Sequence, residues 1–265
     1  MRLGAHLSTR DPLATADRLG LDVLQLHLSS PRTWRHPVPR DDADDLRRSA
    51  RIVSVHAPYL CNPASADLQV RERTAVLLQA TLDAAATVGA GGVVVHAGSA
   101  GVAGCIDEAI ARWCELLPRL DSTVPLFIEN TASGSASVGR HVDSVARLFA
   151  ALHEMPSAGV RIGACLDTAH AFVGDAAAAQ KPGEWVRRFV EATGGVDLVH
   201  VNDSKAPAGS GRDRHANLGA GVTGLACLAE MIAAAGAPAA VIETPGDEER
   251  RSQDVEILRY LVATG

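Results

Sequence analysis

Three short runs in this chain, VVVH at 93–96, LFIE at 126–129 and AVIE at 240–243, are apolar at every position except the last, which is histidine or glutamate. Continuous apolarity over the length of a strand marks burial on both faces, the habit of parallel sheets whose connections are helices. The rest of the chain repeats the pattern. Apolar, β-branched runs at 3–8, 23–28, 52–56, 92–96, 126–129, 160–167, 198–202 and 240–243 alternate with longer segments at 11–19, 43–50, 67–88, 106–120, 141–153, 185–192, 225–235 and 253–262. In the longer segments apolar residues recur at i, i+3 and i+4, the spacing of a helix with one buried face. Glycine-rich stops such as Gly89-Ala90-Gly91-Gly92, Gly194-Gly195 and Gly236-Ala237-Pro238 fall where helices hand over to strands. Eight strand–helix units in 265 residues predict an α/β fold, a (β/α)8 TIM barrel. The alternative, an open doubly wound sheet, would usually carry a glycine-rich phosphate loop after its first strand, and GAHLSTR contains no GxGxxG.

Composition narrows the class further. No Pro/Ser linker, charge block or shift in composition divides the chain, so residues 1–265 read as one domain, and 47% hydrophobic content fills one large core. The opening MRLGAHLSTR is too polar for a signal peptide, and no apolar run approaches the roughly 18 residues of a membrane span, so a soluble, cytoplasmic protein with no membrane partner is expected. Five scattered cysteines without a CxxC argue against a disulfide framework or a cysteine zinc site and predict small buried hydrophobes. A net charge of −6 gives no global attraction for nucleic acid, so any such binding must come from local basic loops.

In a barrel of this kind, chemistry collects at the carboxyl ends of the strands. There the chain places His6, His56, His96, Glu129, Asp167 with His170, and Glu243, while His200 lies within the seventh strand. The loop that follows it, LVHVNDSKAPAGSGRDRH, ends on Asp213-Arg214-His215. In an extended segment residues two apart point the same way, so Asp213 and His215 could share one cation. Taken singly each residue has a plain explanation, as a rim histidine, a strand exit or a solvated turn. Together, His56, His96, Glu129, Asp167, His170, His200, Asp213, His215 and Glu243 put so much ionisable chemistry at one pole that burying it without a cation would be prohibitively costly. Zinc takes about four ligands, so nine groups suit two or three ions, with carboxylates bridging and water filling open positions. Closely spaced divalent ions are suited to phosphoryl chemistry, and the spacing points to a multinuclear metal hydrolase.

The same residues resemble the endonuclease IV family of apurinic/apyrimidinic endonucleases, within the wider xylose-isomerase-like barrels. The matching stretches are GAHLS at 4–8, VHAPY at 55–59, VVHAGS at 94–99, IENTASG at 128–134, CLDTAHAF at 165–172, HVNDSK at 200–205, GSGRDRHANLGAG at 209–221 and IETP at 242–245. They span nearly the whole chain in the family's order. The resemblance implies three zinc ions, with Mn2+ or Fe2+ able to replace zinc in some sites. His56, His96 and Glu129 would hold one; Glu129 would bridge to a second held also by Asp167, His200 and Glu243; His170, Asp213 and His215 would hold the third. All nine positions carry the family's residue type. The implied reaction is hydrolysis of the phosphodiester 5′ to an abasic site, with Glu129 as the catalytic residue that orients or deprotonates the attacking water, and trimming of blocked 3′ ends as a second activity. The implied partner is damaged double-stranded DNA, gripped by Arg32 and Trp34 in the minor groove, by Tyr59 near the flipped-out site and by Lys205, Arg212 and Arg214 on phosphates. A monomer is expected, with His6 supporting a ligand or the substrate phosphate from behind.

Departures from the family pattern collect at the rim: Thr33 after the loop arginine, Val173-Gly174-Asp175 followed by an alanine run, Asn217 and Ala220 around the DRH loop, and Asn62-Pro63. They bear on DNA affinity and lesion choice more than on hydrolysis. Two other readings fit part of the pattern. A metal-dependent sugar isomerase or epimerase on the same barrel would leave Asp213 and His215 without a task, and a lesion-binding protein would rely on the altered rim.

Overall fold

The computed structural model describes every residue except 9, 135, 156–158 and 265. Its centre is a closed parallel barrel of β1 (Arg2–His6), β2 (Val23–Leu26), β3 (Ile52–His56), β4 (Gly92–His96), β5 (Leu126–Glu129), β6 (Ile162–Asp167), β7 (Leu198–His200) and β10 (Ala239–Ile242), which pairs back onto β1. Between β7 and β10 the chain forms a small antiparallel ribbon, β8 (Asp203–Ser204) against β9 (His215–Ala216). Around the barrel run α1 (Pro12–Leu19), α2 (Ala43–Arg48), α3 (Leu68–Thr87), α4 (Ile106–Leu116), α5 (Val142–His153), α6 (Thr168–Gly174), α7 (Ala176–Gln180), α8 (Pro182–Thr193), α9 (Leu225–Ala235) and α10 (Glu248–Thr264). The (β/α)8 expectation is met. Among the described residues no helix is long and apolar enough to cross a membrane.

The differences from the sequence expectation have local causes. β7 stops at His200 because the Asn202 N–H donates to Thr168 Oγ1 rather than to a neighbouring strand. α8 starts at Pro182, three residues before the expected Trp185, because proline suits the first turn, where no intrahelical N–H is needed. The Glu248–Glu249 start of α10 is set by the Asp247 carboxylate, which accepts from the Arg250 N–H, with acidic residues facing the positive helix end. The plain alanine run after Asp175 is helical as α7, and His170, expected after a strand, lies inside α6. Of the cysteines expected in the interior, Cys61 and Cys165 are buried but Cys105 is exposed at the start of α4.

Two apolar layers hold the barrel. The larger lies between the outer strand faces and the helices, with Trp113, Phe149 and Phe189 among its fully buried side chains. The smaller plugs the barrel: Val23, Val94, Phe127, Cys165, Leu198, Ala239 and Val241 pack on one another from six strands. Phe127 dominates this plug, and its neighbours make room. A Cβ on Gly92 would lie 2.1 Å from the Phe127 ring, and one on Gly163 would lie 2.9 Å from it. Glycine at 92 is therefore a packing requirement, and Gly92→Ala is expected to lower unfolding free energy by about 1–3 kcal/mol through overpacking; urea denaturation checks this, and an unchanged midpoint would refute it.

Candidate metal centre

Side chains on a strand alternate faces, so the next inward residue above each member of the plug stands two positions further along. Above Val23 is Gln25, above Val94 His96, above Phe127 Glu129, above Cys165 Asp167, above Leu198 His200 and above Val241 Glu243. The barrel thus has a dry floor with a layer of acids, imidazoles and one amide directly on top.

Glu129, fully buried, is the hub. Its Oε2 lies 3.2 Å from Nε2 of both His56 and His96, and its Oε1 lies 2.8 Å from His200 Nδ1 and 3.5 Å from His170 Nδ1. Glu243 Oε2 approaches the same His200 nitrogen at 3.3 Å. On the far side, Asp213 sets one oxygen 3.2 Å from His170 Nε2 and the other 3.2 Å from His215 Nε2, with Asp167 Oδ2 3.6 Å from His215. Ligand-type atoms lie within 4.8 Å of one another in each of three sets: His56, His96 and Glu129; Glu129, Asp167, His200 and Glu243; and Asp167, His170 and His215. Cys165 also comes within reach of Glu129 and His200, but burial pushes its thiol up to about 12, which makes it the poorest donor present.

The imidazoles are oriented from behind. His56 Nδ1 faces the Ala57 carbonyl at 2.7 Å and His170 Nδ1 faces the Asn130 carbonyl at 2.9 Å, so each donates there and leaves Nε2 as the nitrogen turned to the cluster. Asp167 accepts from the His170 N–H at 2.7 Å and from Asn202 Nδ2 at 2.7 Å, capping α6 while facing the site. The ribbon that carries His215 is held by Asp203. Its fully buried carboxylate accepts from four backbone N–H groups, those of Ser204, Gly219, Gly221 and Thr223, which folds the following loop back beneath it.

The electrostatics fit a cation site. Burial would raise Glu129 and Glu243, but the surrounding imidazoles outweigh it and hold both well below the usual carboxylate range. Burial would lower His170 and His215, but Asp167 and Asp213 outweigh it, taking His170 well above the ordinary range and His215 up to about 9. His215 Nε2 is buried and makes no hydrogen bond, although two carboxylates stand near it. An orphaned nitrogen among converging oxygens is the arrangement a divalent ion completes, and imidazole with carboxylate is a donor set zinc accepts.

All nine expected ligand residues therefore meet at one mouth. Asp213 and His215 face one another as expected, although only His215 lies on a strand. His6 Nδ1 stands 3.4 Å from Glu243 Oε1. At the rim, Arg32, Lys205, Arg212 and Arg214 are exposed. Tyr59, 49% exposed, stacks over His96 with ring centroids 5.9 Å apart. Trp34 is less free than a groove-filling residue would be: it is half-buried against the main core, with the Arg73 guanidinium 5.8 Å from its ring centre. A cleft of about 180 Å3 lined by Tyr59, Asn62, Ser99 and Ser137 opens onto His96, His170 and Asp213. A larger cleft of about 770 Å3, against α8 and α9, shares no residue with the cluster.

Sequence reasoning missed Gln25, His27, Asn130 and Asn202. Gln25 and His27 had a readable signal in VLQLHL, where polar residues alternate with leucine at the strand period. His27 donates from Nδ1 to the His56 carbonyl at 2.9 Å, and burial pushes it down to about 3, so it is neutral.

Residues 13–261 match the family model described as xylose isomerase-like TIM barrel. A protein of Mycobacterium marinum named "Probable endonuclease 4" is 44% identical over 259 residues, 98% of either chain. The chain belongs to the endonuclease IV family. The crystal structure of endonuclease IV from Thermus thermophilus matches this family member over 100% of both chains, with a TM-score of 0.83 at 28% identity. A D-tagatose 3-epimerase-like protein shares the barrel, with a TM-score of 0.73 at 17% identity over 100% and 98% of the two chains.

For this endonuclease IV family member, proton competition at the cluster is predictable in sign. Below about pH 9 the cation-free His215 is protonated, so cation uptake must eject that proton, and affinity falls as pH falls. Titration calorimetry of zinc in buffers of different ionisation heat should show net proton release at pH 7.5; zero release would contradict it.

Proposed function

We propose that this protein is a DNA-repair endonuclease that hydrolyses the phosphodiester 5′ to abasic sites in double-stranded DNA, using three divalent cations, zinc in the first instance. The observation that carries the reading is the third set. In it His170 and His215 stand with Asp167, and Asp213 lies 3.2 Å from Nε2 of each imidazole, beside the Glu129-centred groups; a one- or two-ion sugar isomerase has no use for Asp213 and His215. Membership of the endonuclease IV family supports the same substrate class.

His56, His96 and Glu129 would hold the first cation, Glu129, Asp167, His200 and Glu243 the second, and His170, Asp213 and His215 the third. When bound, such ions lower the pKa of water and neutralise charge on the phosphoryl oxygens. The chain's own groups do the rest. Glu129 remains ionised at neutral pH and has one oxygen on each side of the cluster, which suits it to orient a water or take its proton. The cleft walled by Tyr59, Asn62, Ser99 and Ser137 gives an extruded deoxyribose a way in past His96, His170 and Asp213. Tyr59 is pushed up to about 12, mainly by burial, so it meets the substrate as a neutral phenol. Exposed Arg32, Lys205 and Arg214 would grip backbone phosphates of the damaged duplex, and Trp34 would brace the loop that carries Arg32. Removal of 3′-blocking groups follows as a second activity of the same centre. The protein would act as a single-domain monomer.

The test is incision of a duplex carrying a tetrahydrofuran abasic analogue. Wild-type protein should cut 5′ to the lesion, lose the activity to a chelator and recover it with added zinc. Glu129→Gln should lower kcat by about 10²–10⁴-fold, the range of a lost general base, with duplex affinity retained. Tight binding of the lesion without incision, with zinc present, would contradict the proposal.

A further inference from the structure

Among the described residues directly above the apolar floor, one presents an amide to the acids and imidazoles. Gln25 is fully buried on β2, inside the barrel, and every polar atom of its amide is engaged. Its Oε1 lies 2.9 Å from His200 Nε2 and accepts from Ser54 Oγ at 3.3 Å. Its Nε2 donates to Glu243 Oε1 at 2.7 Å and stands 3.1 Å from His6 Nδ1. Gln25 therefore spans two members of the Glu129–Asp167–His200–Glu243 set without touching the other two, and its two ends are chemically distinct.

The Oε1 end defines the state of His200. A carbonyl oxygen can only accept, so His200 Nε2 must carry a hydrogen, and in the neutral ring that leaves Nδ1 as the lone-pair atom. Nδ1 is the nitrogen that faces Glu129 at 2.8 Å and Glu243 at 3.3 Å. The opposite tautomer would put a lone pair against the Gln25 oxygen inside a dry barrel. The Nε2 end fixes Glu243: it engages Oε1, which leaves Oε2, the oxygen nearest His200, turned to the cluster. A carboxylic side chain at 25 would lose this donor, an apolar one would lose both ends, and asparagine is one methylene short of this reach.

Resting on the proposed three-cation reading, we infer that Gln25 is a positioning residue for the second cation alone, selecting the His200 tautomer and the ligating oxygen of Glu243. The first and third sets have other supports, the Ala57 and Asn130 carbonyls behind His56 and His170. Loss of the Gln25 amide should therefore weaken one ion of three.

The experiment compares wild-type, Gln25→Leu and Gln25→Glu full-length protein, loaded with zinc and titrated with a chelating indicator that resolves successive ions; cobalt-loaded samples give the visible absorption of each occupancy step. In Gln25→Leu one ion should be released at about 10–100-fold lower chelator strength, the cost of losing a support behind a metal ligand, with the other two unchanged. The cobalt band of that step alone should shift. Gln25→Glu keeps the acceptor for His200 Nε2–H and should recover part of the lost affinity, which also covers the case that the leucine variant fails to fold. Equal weakening of all three ions, release at wild-type chelator strength in Gln25→Leu, or a glutamate variant with no recovery over leucine would overturn the inference. A wild-type protein that binds no zinc would instead sink the three-cation reading itself, and the two failures are distinguishable.

Discussion

The site depends on a constraint no thicker than one residue pair. Inward-facing positions on a barrel strand recur every second residue, so an apolar side chain at one level forces its chemistry to the next level up. Phe127 and Glu129 show this most plainly. The ring fills the barrel between Gly92 and Gly163, and the carboxylate two residues later is carried onto that floor, fully buried, with imidazoles on both sides. Water cannot enter from beneath. The charged layer has only its own members, and whatever enters from the mouth, to satisfy it.

That enclosure makes the cluster's electrostatics opposed and strong. Burial pushes Glu129, Glu243, Asp213, His170 and His215 towards neutrality, yet acid and imidazole partners within hydrogen-bonding distance hold these five ionised. Such a network is costly to leave partly satisfied, and His215 Nε2 is left so. The polar residues behind the cluster carry as much of the geometry as the ligand-type residues do. Asn202 ties Asp167 to the Glu243 backbone, and Asp203 gathers four N–H groups to seat the loop that follows His215.

Much of this was legible in the linear sequence because it is periodic. Runs such as VVVH and LFIE encode both the buried strand and the residue at its carboxyl end, so the barrel, the pole and the nine ligand-type residues could be read together. What was not legible depends on contacts between distant segments. AAAAQ favours helix by propensity but is five residues long and has no apolar period, and it forms one where the Asp175 carboxylate caps it by accepting from the Ala177 N–H. Gln25 reads as one polar residue in a strand until His200 and Glu243 are placed around it. Trp34 reads as a free aromatic in a loop until the core and Arg73 are found against it. The outward cysteine, Cys105, follows the same rule, because the class of a residue predicts burial only on average.

The account turns on whether this layer cages cations. Crystals of the protein grown with zinc, measured on both sides of the zinc absorption edge, test it directly. Three anomalous peaks are predicted, two sharing Glu129 and one among His170, Asp213 and His215. A map with no peak at Glu129, or with density only at exposed histidines such as His141, would contradict it.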